Sequence, residues 1–167
     1  MSEISPGSKR ELTQVLFTAI LLSWLMHLPA SLQWTDQIWG HGGDAYQFPW
    51  NFYWINHCVT NGNWQIWQTP LLYAPHGLSL YYHDISLTNC AMFMLMPAVH
   101  CPILGHNILM FLHTVLSLLT MYWLSRSLNI NGLAAFFAGS AYAFSCYRVQ
   151  HMYGHLSLTT TEWIPLY

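Results

Sequence analysis

The sequence predicts an all-α integral membrane protein with three to four transmembrane or re-entrant helices and a membrane-lying amphipathic helix in a large first external loop. Only 4 Lys or Arg and 6 Asp or Glu occur among 167 residues, while 54% of the chain is hydrophobic. A soluble domain carries about a quarter charged residues, so a surface this poor in charge belongs in lipid. The uncharged runs also match the demand of a bilayer, which needs about 20 mostly apolar residues per helix. Finally, aromatic residues crowd the segment between the first two runs, where amphipathic rings favour the headgroup layer. The four basic residues leave no patch for nucleic acid, and no phosphate-cradling loop is present, so nucleic acid is excluded as a partner.

Taken in order, Lys9 and Arg10 mark residues 1–11 as a cytoplasmic N-terminus. Residues 12–30 form the first transmembrane helix, broken at Pro29. A cleaved signal peptide is the competing reading, but Pro29-Ala30-Ser31 makes a poor cleavage site. Residues 31–84 contain no Lys or Arg and are expected outside. Within them Phe48, Phe52, Ile55 and Val59 recur at helical spacing while Gln47, Asn51 and Asn56 stay polar. This predicts an interfacial helix at about 45–60, ended by Asn61-Gly62-Asn63.

The next uncharged run, 85–125, is too long for one helix and is divided at Cys101-Pro102-Ile103-Leu104-Gly105. It yields a re-entrant or transmembrane helix at 85–100 and a transmembrane helix at 106–125. Another span is expected at 128–147, and residues 148–167 read as an external segment with the start of a further, truncated helix. A cytoplasmic Arg126 makes 85–100 re-entrant and puts Arg148 on the side of Asp44; four complete crossings put Arg148 inside. The positive-inside tendency favours the first arrangement.

Asp44 is the only charge in residues 37–83 and follows directly on Gly42-Gly43. A carboxylate among aromatic residues is costly unless it has a partner or a task. It either caps the helix that follows or serves as a catalytic base.

Gly43-Asp44-Ala45 before an aromatic helix, then 69–77 (TPLLYAPHG), Leu124-Ser125-Arg126-Ser127-Leu128, 143–148 (AFSCYR) and Gly154-His155-Leu156 together resemble the N-terminal part of bacterial GT-C-type polytopic membrane glycosyltransferases. The likeness lies in their order and spacing and runs from about Leu12 onward. It implies transfer of a sugar from a polyprenyl-phosphate donor to an acceptor on the outer face of the bacterial inner membrane. On that resemblance Asp44 stands at the acid of the first external loop. Many relatives have two adjacent acids there; the neighbour here is Ala45, which leaves a divalent metal requirement open.

The residue chemistry suits that role. A base within reach of an acceptor hydroxyl contributes about 10²–10⁴-fold. A departing lipid phosphate needs donors, and Arg148 with His155 are the candidates, joined by His76 and Asp84 as substrate-binding residues. The bland alternatives are that Arg148 snorkels at a helix end, Asp84 caps a helix starting near Ile85, and Glu162 caps one near Trp163. His151 and His155 are four apart without the zinc-protease pattern, so no metal site is assigned. His100, His106 and His113 lie in or beside spans, and paired haem ligands are a third, less favoured function. No C-x-x-C joins the four cysteines, and no disulfide framework is expected. Enzymes of this kind usually have eight or more spans, so the expectation is a truncated frame, inactive alone, that awaits C-terminal spans. The alternative is a non-catalytic subunit packed against a partner.

Overall fold

A computed structural model describes residues 9–167. Residues 1–8 of the expected cytoplasmic segment lie outside that range. The described residues are all-α apart from one small ribbon. In order come α1 (Lys9–Met26), α2 (Gly43–Thr60), β1 (Gln68–Thr69), β2 (Leu78–Ser79), α3 (Leu87–Met94), α4 (Pro102–Ser127), α5 (Gly132–Ala143), α6 (Cys146–His151) and α7 (Leu156–Thr159). The strands pair antiparallel, Gln68 with Ser79 and Thr69 with Leu78. Short 3-10 turns follow α1 (Ala30–Leu32), α3 (Pro97–His100) and α7 (Ile164–Leu166).

The breaks have local causes. Pro102 opens α4 at a position where its missing N–H costs nothing. Asn131 caps α5 by accepting the Ala134 N–H at 2.9 Å. Ser86 adopts a left-handed conformation, φ 49°, and turns the chain from the loop into α3.

α4 is the axis of the molecule. Its N-terminal half, through Leu109 and Met110, joins an aromatic core with Trp39, Phe48, Phe52, Ile55 and Phe93. Its C-terminal half, through Val115, Leu118 and Tyr122, packs a second core with Val15, Ala19, Ala135 and Ala143. Ala135, Gly139 and Ala143 line one face of α5 at four-residue spacing, and small residues there let two backbones approach. The approach is close: a Cβ on Gly139 would sit 2.6 Å from the Leu118 carbonyl oxygen. Phe52 and Phe93 stack at 4.7 Å between centroids, tying α2 to α3.

Among the described residues α4 is the single helix long and apolar enough to cross a membrane. The span expected at 12–30 is α1, which has 18 residues, ends at Met26 and is not such a helix; two others are shorter still. Within 128–147 α5 has 12 residues, which reach about 18 Å, and α6 forms a separate element after it. Within 85–100 α3 has 8 residues, too few for a crossing. α2 follows the expected interfacial span but not its expected polarity. Asn51, placed on the outer polar face by periodicity, is fully buried, because its amide has backbone to serve inside.

Candidate functional site

A cleft of about 270 Å³ opens beside the start of α2, lined by Asp44, Gln47, Phe48, Tyr82, His83, Asp84 and His155. Three residues singled out from distant parts of the sequence, Asp44, Asp84 and His155, therefore meet here. Asp44 arrives on the first turn of α2. Gly42, φ 78°, occupies the cap position, so Asp44 lies within the first turn. Asp44 is therefore not the cap residue, though a carboxylate in the first turn is favoured by the helix N-terminus.

The approach to Asp44 is held by the turn before α7. The His41 N–H donates to the Tyr153 carbonyl, and a Cβ on Gly40 would lie 3.0 Å from that same oxygen. A Cβ on Gly154 would lie 3.6 Å from Asp44 Cβ. This contact delivers His155, whose Nε2 stands 3.8 Å from Asp44 Oδ2. The two side chains remain 46% and 68% exposed, respectively, so the pair is open to water and to a substrate.

Asp84 is presented by α2. Gln47 Nε2 and Asn51 Nδ2, four residues apart on one helix face, donate to the Asp84 carbonyl oxygen at 3.0 and 2.7 Å. Asn51 Oδ1 then accepts from His83 Nε2 at 2.8 Å. That bond places the His83 proton on Nε2 and leaves Nδ1 as the lone-pair nitrogen of the neutral ring. Partial burial lowers the His83 pKa, and the Asp84 carboxylate offsets this only in part. The Asp84 carboxylate itself accepts from Ser157 Oγ at 2.5 Å. It does not cap α3, whose cap position is Ser86.

Arg148 stands elsewhere. It is 1% exposed, and its guanidinium donates to the Ala143 carbonyl at 3.0 Å, Ser117 Oγ at 2.5 Å, Thr161 Oγ1 at 2.6 Å and the Thr159 carbonyl. Desolvation pushes its pKa down to about 10, with Glu162 acting in the opposite sense, so it stays charged at neutral pH. Glu162 is 2% exposed and takes a 2.7 Å hydrogen bond from His113 Nδ1, while His113 Nε2 meets Asn89 Oδ1 at 2.9 Å. Both His113 nitrogens are thus engaged with protein, leaving neither for a haem iron.

This network has a positional consequence. Thr159, Thr161 and Glu162 anchor the C-terminal segment to α4, and the same segment carries His155 and Ser157 at the cleft. Arg148 does not share a helix face with His155, because α6 ends at His151. His76 also lies apart: it lines a second cavity of about 510 Å³ with Asn63, Gln65, Thr69 and Gly77 beside the ribbon. Among the described residues no three His, Cys, Asp or Glu side chains are grouped to hold one metal ion.

Sequence reasoning missed Asn51, His83, Ser157 and the His113–Glu162 pair as parts of this assembly. The signal for Glu162 was present, since 159–162 (TTTE) is a polar run in an otherwise apolar stretch. No protein-family model matches the chain, and neither the curated proteins nor the solved structures contain a significant match.

Proposed function

We propose that the chain is the N-terminal portion of a membrane glycosyltransferase that moves a sugar from a polyprenyl-phosphate donor to an acceptor on the external face. The observation that carries this reading is the convergence of Asp44, Asp84 and His155 in one water-accessible cleft. In this reading Asp44 is the general base. It removes the proton from the acceptor hydroxyl as that oxygen attacks the anomeric carbon, and the lipid phosphate leaves with the bonding electrons. The His155 imidazole donates an N–H to that leaving phosphate, and Asp84, fixed by Ser157, orients sugar hydroxyls. Arg148 acts on the site by holding the segment that carries His155.

A membrane setting is supported by the outer faces of the helices. Leu16, Phe17, Leu21 and Leu25 of α1 and Leu133 and Phe137 of α5 are exposed, a surface that lipid or neighbouring helices would cover. Arg126 Nε lies 3.6 Å from Glu11 Oε1, so Arg126 and the Lys9-Arg10 pair gather at one end of the bundle. The positive-inside tendency puts that end in the cytoplasm and the cleft outside. In this topology α3 is the floor of a re-entrant segment. The inner membrane of a bacterium is the proposed location.

The test is transfer of a labelled sugar from a polyprenyl-phosphate donor by membranes carrying the protein in its longest continuous reading frame. Asp44→Asn is expected to lower turnover by about 10²–10⁴-fold with the donor KM little changed. Unchanged turnover in that variant removes Asp44 as the base.

A further inference from the structure

Residues 45–83, which carry the ribbon, contain no Lys, Arg, Asp or Glu. Exposed loops are ordinarily kept in water by such residues. Here uncharged amides, hydroxyls and imidazoles stand in their place, and beside the ribbon they line the cavity of about 510 Å³ that holds His76. Its volume falls in the range of small-molecule sites, about 300–1,000 Å³. Asn63, Gln65, Gln68, His76 and Ser79 line it, and all are exposed. The side chains of Gln65, Gln68, His76 and Ser79 have no hydrogen-bond partner among the described residues, so their donors and acceptors are open to an incoming molecule.

The backbone that carries them is held. Gln68 pairs with Ser79 and Thr69 with Leu78, and the Leu80 N–H donates to the Trp67 carbonyl at 2.7 Å. Trp67 and Tyr81 stack at 5.7 Å between centroids, just before β1 and just after β2. The turn at the far end is bonded as well. The Tyr73 carbonyl accepts from the His76 and Gly77 N–H groups at 3.1 and 3.2 Å, and the Thr69 hydroxyl accepts from the Leu71 N–H at 3.2 Å. Gly77, φ 75°, is required there, since a Cβ on it would lie 2.9 Å from the Thr69 carbonyl oxygen. Asn63 Oδ1 accepts from the Gln65 N–H at 3.0 Å on the approach to β1. Open polar side chains on a bonded frame are preorganised, because binding then orders little of the chain.

The lining selects the ligand. Primary amides, a hydroxyl and an imidazole each donate and accept, which suits a molecule covered in hydroxyls, since every hydroxyl also does both. With no Lys or Arg in the lining a phosphate or carboxylate gains no ion pair, and with no Asp or Glu an ammonium gains none. Two rings of the same loop are largely exposed: Trp64, between Asn63 and Gln65, at 76%, and Tyr73 at 77%. Such rings offer apolar faces to the C–H face of a pyranose.

We propose that this cavity binds a neutral saccharide, whose hydroxyls bond Gln65, Gln68, His76 and Ser79. The site shares no lining residue with the cleft at Asp44 and does not depend on the transfer reaction proposed for that cleft.

The experiment uses the full chain in nanodiscs, with empty nanodiscs as the blank. Chitotriose, cellotriose and mannotriose are titrated in turn to about 10 mM, and saturation transfer from protein to ligand protons is read. Acetyl-triserine amide, an uncharged peptide that also carries hydroxyls, is the fourth probe. At least one sugar is expected to bind saturably with Kd below about 10 mM, and the peptide about fivefold more weakly or less tightly still. Gln65→Leu and Gln68→Leu alter exposed side chains that bond nothing in the protein, and each should weaken that sugar about three- to tenfold. Asp44→Asn should leave its affinity unchanged. Absence of saturable binding by all three sugars, peptide binding as tight as the sugar, or affinity indifferent to both glutamine variants overturns the proposal. Binding lost in Asp44→Asn but kept in the glutamine variants also overturns it, because the sugar then sits in the other cleft.

Discussion

The cleft at Asp44 and the buried cluster at Arg148 are built from the same residue types and differ in access to water. In the cleft, Asp44 and His155 stand 3.8 Å apart with both side chains largely exposed. In the cluster, His113 and Glu162 meet at 2.7 Å with almost no exposure, and Arg148 has its donors taken up by Ser117, Thr161 and backbone carbonyls. A buried ionised group is tolerable only when paired and hydrogen-bonded, so the cluster spends most of its valences on the fold, with Glu162 Oε2 alone of its carboxylate oxygens unbonded. The cleft keeps lone pairs and a free imidazole for something that arrives from outside. In the proposed function the difference assigns Arg148 a positioning role and Asp44 a chemical one.

The comparison breaks most visibly at Glu162. Glu162→Ala removes the acceptor of His113 and the nearest counter-charge of Arg148, and is expected to cost about 3–5 kcal/mol of stability. Unfolding followed in nanodiscs checks this, and a loss below about 1 kcal/mol would make the network ornamental. Asn51→Leu is next. It removes the bonds to the Asp84 carbonyl and to His83, and should cost about 2–3 kcal/mol while displacing Asp84. Reactivity of a cysteine placed at position 84 toward a water-soluble reagent would report the displacement.

Asp44→Asn should behave in the opposite way. Its stability should change by no more than about 0.5 kcal/mol, since its ion pair with His155 is exposed to water, even where turnover collapses. A large loss of stability in that variant would return Asp44 to a structural role.

The smallest effect sharpens the border between the two regions at His83, which touches both the cleft and buried Asn51. Its pKa is lowered in the folded state, so between that lowered value and about 6.5 the unfolded chain binds more protons. The contribution of the neutral ring is therefore complete above about pH 6.5 and declines as pH falls through that region. His83→Gln should flatten this part of the stability profile, measured as unfolding midpoints between about pH 5 and pH 8. An identical slope in the variant would assign the acid sensitivity to other groups.

Much of the helical framework was legible in order along the chain. The exact helix ends were not: the spans expected at 12–30, 106–125 and 128–147 are Lys9–Met26, Pro102–Ser127 and Gly132–Ala143, because Pro102 at the first helical position and the Asn131 cap set the last two starts. Asp44 was legible locally, since one charge in a long aromatic segment needs no partner to be conspicuous. Asn51 was misread because helical periodicity separates polar from apolar faces but assumes that the polar one meets water. Here the polar face meets the loop at Asp84, and its amide satisfies backbone that would otherwise be buried unpaired. Arg148 was placed outside by topology, yet the hydroxyls of α4 and the C-terminal segment gave it a sealed site.

By itself the sequence determined the helical class, the approximate order of the helices and the isolation of Asp44. Each is a property of composition or of a few adjacent residues. Only the tertiary structure decided that Asp84 and His155 join Asp44, that Glu162 pairs with His113, and that Arg148 is sealed among hydroxyls and carbonyls. Those outcomes depend on contacts between residues far apart in the chain, and they follow from the need to satisfy buried polar groups together, a condition that no local pattern encodes.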